Sequence, residues 1–111
     1  MGYDLHITRK EIWSDPEGPE LSLPEWLAFA QSSDEVKPDT ENPGRENWLL
    51  SKHPKRAPLW WSRGELYTKN PDPQTVTILV RIAELLQSTV MGDDDEIYGT
   101  DPIDPCVPFR R

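Results

Sequence analysis

The chain predicts an α+β fold: a two-layer sandwich in which a mainly antiparallel sheet of four to five strands carries two helices on one face. Three observations point there. Residues 70–98 hold a capped amphipathic helix, residues 3–8 alternate with the period of a half-buried strand, and residues 59–68 read as a β-hairpin.

Taken in order, Tyr3, Leu5 and Ile7 fall on one side of the first strand, and Asp4, His6 and Thr8 on the other. Arg9 to Glu20 holds Trp13 and then the turn-rich run Ser14-Asp15-Pro16-Glu17-Gly18-Pro19. Ser22 and Glu25 have capping-box spacing, with Pro24 in the first turn. Leu23, Trp26, Leu27 and Ala30 then share a face, with Phe29 beside it, which predicts a helix of about three turns. Asp34 to Glu46 is polar and carries Pro38, Pro43 and Gly44, so a long surface loop is expected.

Asn47 to Ser51 reads as a short strand, and Lys52 to Arg56 is the basic cluster, with His53 inside it. Leu59-Trp60-Trp61, a turn at Ser62-Arg63-Gly64 and Glu65 to Thr68 make the hairpin, with Gly64 free to take positive φ. Asp72 caps the second helix and Pro73 opens it, since a first-turn N–H has no partner to lose. Ile78, Leu79, Ile82, Leu85 and Leu86 form its apolar stripe, opposite Thr77, Arg81, Glu84 and Ser88. It ends near Gln87 or Ser88. Thr89 to Met91 is a short strand, Gly92 opens the acidic turn Asp93 to Glu96, and Glu96-Ile97-Tyr98 pairs with Val90-Met91 or a neighbour. Residues 1–98 thus make one domain, and residues 99–111, with Pro102, Pro105 and Pro108, a tail that is extended over another surface or disordered. A ferredoxin-like arrangement fits the element order, although the extra hairpin leaves the strand order open.

Composition narrows the function classes. Twenty acidic against twelve basic residues give a formal charge of −8, which disfavours nucleic acid as a direct ligand because phosphate binding needs a cationic field. A basic protein partner is compatible with that charge, and so is a merely well-solvated surface. Cys106 is the one cysteine and cannot close an internal disulfide. The polar start lacks the pattern of a signal peptide, and the apolar run Val76 to Leu86 is broken by Arg81 and Glu84 and too short for a bilayer. A cytoplasmic protein with no membrane contact is expected.

Candidate chemistry is sparse. Asp93, Asp94, Asp95 and Glu96 suit a hard cation, but calcium-loop spacing is absent, and a solvated turn or a contact for a basic surface serves as well. Asp4 and His6 share a strand face and, with the acidic corner, could form a mixed metal site, although no second His supports it. Cys106 sits in the proline-rich tail, where a base and oxyanion donors are hard to supply. Neither catalytic residues nor a cofactor are expected. Trp60 and Trp61 are adjacent in a strand and point to opposite sides, so one of them should be partly exposed unless the tail covers it. Exposed Trp is enriched at binding hot spots.

YDLHITR at the start, SLPEWLAF, the hairpin with Gly64, YTKNPD, the IAELL helix and GDDDEIYG together resemble small bacterial proteins, some of which look like immunity proteins of toxin–immunity pairs, including contact-dependent growth inhibition systems. The resemblance covers Tyr3 to Tyr98 and departs from the family at Asp95, where Gly is usual. It implies an acidic protein that binds and neutralises a cognate toxin domain, often a nuclease, in the cytoplasm. Asp93, Asp94, Asp95 and Glu96, with Trp60 or Trp61, are then the expected contacts. Two other readings stay open: a small metal-dependent enzyme using Asp4, His6 and the Asp93–Glu96 corner, and a non-catalytic regulatory subunit.

Overall fold

A computed structural model of the chain describes residues 3–110. Seven strands and two helices follow in the order β1 (Asp4–Thr8), α1 (Leu23–Ser32), β2 (Val36–Pro38), β3 (Asn47–Leu50), β4 (Pro58–Ser62), β5 (Glu65–Lys69), α2 (Pro73–Leu85), β6 (Thr89–Gly92) and β7 (Ile97–Tyr98). They build one antiparallel sheet in the order β2-β3-β4-β5-β1-β6-β7. The α+β class is as the sequence predicts, but seven strands replace the expected four to five. The segment expected to be loop between Asp34 and Glu46 contains β2, whose three residues are too few to show alternation and are held by pairing with β3. The ferredoxin-like arrangement is also corrected, because both neighbours of β1 run antiparallel to it and β2 to β5 form a meander.

Register fixes which side chains share a face. Ile7 lies opposite Leu66 and Val90, and Trp48 opposite Leu59, so these residues point the same way. That face meets both helices in one core: Trp26 of α1 meets the Trp48 ring edge-on at 5.9 Å, and Leu79 and Ile82 of α2 are fully buried in the same cluster. Leu85, read as part of the apolar stripe, is instead 60% exposed, because the buried arc of α2 runs through Val76, Val80 and Ala83.

Local chemistry sets the element ends. Ser22 accepts the Glu25 N–H at 3.2 Å, but the return half of the capping box is not made, because Glu25 instead pairs with Arg9. Asp72 accepts the Thr75 N–H at 2.7 Å and the His53 Nε2–H at 2.9 Å, which together with the Thr75 hydroxyl hold its pKa at about 2. At the other end of α2, the Gln87 N–H reaches the Glu84 carbonyl and the Ser88 N–H reaches Ala83, with Gln87 at φ 54. This is a Schellman cap built without glycine. Arg9 donates to the Leu86 carbonyl at 2.9 Å, placing a guanidinium at the negative end of the helix. The hairpin turn has Arg63 at φ 52 and Gly64 at φ 85, the two positive values of a type I′ turn.

Buried Glu35 receives both Arg81 of α2, at 2.7 and 2.9 Å, and Lys52, so β2 is tied to the helix layer and the Glu35 pKa is lowered, chiefly by the Arg81 hydrogen bonds. Beyond Tyr98 the chain turns back: Phe109 bridges Ile97, and Cys106 Sγ lies 3.3 Å from the Pro73 carbonyl. The Cα radius of gyration, 13.0 Å, matches the ~13 Å of a folded domain this long, so the tail lies against the body.

Candidate functional site

The sheet face away from the helices carries a continuous row. Asn47, Trp60, Tyr67, His6, Met91 and Ile97 lie opposite one another across β3, β4, β5, β1, β6 and β7. The Arg9–Glu20 loop folds over the centre of this row and lays the Trp13 indole flat on the His6 ring, 3.8 Å between centroids and 9° between planes. A cleft of about 610 Å³ opens beside the stack, walled by Trp13, Asp15, Glu20, Arg63, Glu65 and Tyr67 among others.

His6 is 4% exposed and holds two carboxylates: Nδ1 lies 2.5 Å from Glu65 Oε2, and Nε2 3.1 Å from Asp93 Oδ1. Burial by itself would lower the imidazole pKa, but the hydrogen bonds from Glu65 and then Asp93 outweigh it and raise the value above the ordinary one. Asp93 also accepts the Asp4 N–H at 2.9 Å, and the Asp4 carboxylate faces Lys69 at 3.4 Å.

The acidic turn is therefore two things. Asp94 and Asp95 point outward and are exposed, with Asp95 at φ 65, in the left-handed region that favours glycine. Asp93 is half-buried against His6. Glu96, expected among the contacts, is instead 2% exposed, accepting from the Tyr3 and Tyr98 hydroxyls and from the Asp94 N–H. Burial, and then the Glu96 contact, push the Tyr3 pKa well up. Gly92 makes this possible: the Tyr3 hydroxyl and the Glu96 carboxylate occupy the space a side chain would need there.

The two indoles separate as strand alternation requires. Trp61 faces the helices and donates its Nε1–H to the Leu21 carbonyl at 2.8 Å. Trp60 lies on the open face, partly exposed, its ring 5.2 Å from Tyr67. Comparison of the chain with protein-family models, characterised proteins and solved structures finds no match.

The structure brings Asp4, His6 and Asp93 together, leaves Asp94 and Asp95 exposed and leaves Trp60 partly exposed. It does not bring Cys106 near the His6 group, placing it against α2. Reasoning from sequence missed Trp13, Glu65 and Tyr67 as members of the site. Alternation signals Tyr67 and Glu65 once the β5–β1 register is known, but nothing local signals that Trp13 folds back onto His6.

Proposed function

We propose that the chain is an immunity-type protein that binds a cognate toxin domain in the cytoplasm and holds it inactive through the helix-free face of the sheet. The observation that carries this reading is the partly exposed Trp60–Tyr67 pair, lying on one face with the Asp93–Asp95 turn in a chain of net charge −8. From β4 to β6 is three strand spacings, about 14 Å, so anchor and acidic rim fit within one standard interface footprint. Trp and Tyr at a desolvated centre, ringed by charge, is the composition of binding hot spots. Among described residues, no helix is long and apolar enough to cross a membrane, which agrees with this reading without locating the protein.

A nuclease is the toxin type that fits the charge, because its substrate groove carries the cationic field that phosphate demands. Acidic residues would then steer association, while Trp60 packing would set the dissociation rate. The contact set is Trp60, Tyr67, Asp94 and Asp95, with Asp93 and Glu96 shaping the turn. The test is co-purification with the product of the neighbouring gene, together with growth protection when that product is expressed. Binding that falls steeply with salt and with Trp60→Ala supports the reading. A chain that neither binds nor protects overturns it.

A further inference from the structure

We propose that Nε2 of His6 and the carboxylates of Asp4 and Asp93 form a binding site for one divalent first-row transition metal ion. The proposal is independent of the partner-binding reading. One ligand atom from each of the three residues lies within 4.8 Å of the others, although they come from β1 and from the turn after β6, far apart in sequence. The His6 Nε2 to Asp93 Oδ1 separation, 3.1 Å, is close to that of two neighbouring ligands each ~2.1 Å from a shared ion, which is about 3.0 Å at a right angle.

The imidazole is held as a metal ligand is held. Glu65 accepts Nδ1–H at 2.5 Å, which aims the opposite nitrogen at Asp93, and the Trp13 stack fixes the ring plane. A carboxylate on the far nitrogen is the usual outer partner of a metal-bound histidine. One imidazole with two carboxylates is a mixed nitrogen and oxygen set, suited to Zn²⁺, Mn²⁺ or Co²⁺ rather than to the all-oxygen preference of Ca²⁺. The Asp4 and Asp93 side chains are 25% and 34% exposed, so an ion can enter from water and keep water ligands. Lys69, 3.4 Å from Asp4, would yield its place to the ion, and the proton shared between Nε2 and Asp93 would leave to water as the ion binds.

The experiment is calorimetric titration of the full chain with zinc chloride, repeated on Asp93→Asn and Asp4→Asn, with thermal unfolding of each variant as the check on folding. The expected result is one site per chain, weakened at least about 10-fold in both variants, and weakened about 10- to 100-fold in Glu65→Gln, a positioning residue. On the unsubstituted chain, Zn²⁺ should shift the His6 Nε2 nitrogen resonance and leave His53 unmoved, a readout that needs no variant to fold. No saturation by about 1 mM Zn²⁺, an affinity indifferent to both Asp substitutions, or a shift at His53 in place of His6 overturns the proposal.

Discussion

Trp60 and Trp61 are neighbours in β4 with opposite surroundings, and truncating each to Ala should separate folding from function. Trp61 packs on the core and donates to the Leu21 carbonyl. It is not fully enclosed, so the lower end of core Trp truncation applies, about 3 kcal/mol, with up to about 1 kcal/mol more for the lost hydrogen bond. That is a large share of the ~5–15 kcal/mol that holds a typical domain together. At about 4 °C per kcal/mol for a chain of this length, the midpoint of thermal unfolding should fall by roughly 12–16 °C. Trp60 is also partly buried, but it loses contacts on the helix-free face and a tilted pairing with Tyr67 worth roughly 0.5–1.5 kcal/mol rather than a place on the core, so its midpoint should fall by less than that of Trp61. In binding the ranking reverses: Trp60→Ala should weaken the toxin complex by at least about 2 kcal/mol, or ~30-fold. Calorimetric melting and surface-immobilised binding at constant salt read the two effects separately. Equal melting losses, or a larger loss at Trp60, would refute the assignment of faces.

Two further expectations concern the ends of α2. Gln87 sits at φ 54, where a side chain costs about 1–2 kcal/mol, and Gly there gives back roughly 0.5–1 kcal/mol through the unfolded chain, so Gln87→Gly should stabilise by about 0.5–1 kcal/mol. A raised urea midpoint with unchanged slope checks it, and Gln87→Ala should gain none of it. Asp72 titrates at about 2 in the folded chain against its ordinary 3.8, so its stabilising effect is full above about pH 4 and is lost as the pH falls through 2. Asp72→Asn should therefore flatten the acid limb of the melting curve between those values, and an unchanged limb would contradict the cap chemistry.

Local rules made much of this fold readable. Asp72-Pro73, Ser22 with Glu25, and the Arg63-Gly64 turn each carry their instruction within four residues, and each element begins or turns where that instruction says. What stayed hidden is non-local. Val36–Pro38 is a strand only because β3 offers it a ladder, and Glu25 leaves its capping role because Arg9 arrives from another part of the chain. The candidate site divides the same way. Asp4 and His6 on one strand face were legible from alternation, whereas Glu65, Trp13 and the inward turn of Glu96 depend on pairing across 59, 7 and 93 positions respectively.

Both rims of the sheet are built to refuse company. β2 is three residues long and ends on Pro38, which has no N–H to offer, while Lys37 adds charge beside it. At the opposite rim, Ile97 of the two-residue β7 is already bridged by Phe109. A visiting strand therefore finds no free ladder to extend, and copies of this chain gain little by stacking rim to rim. Whatever the protein meets has to arrive broadside.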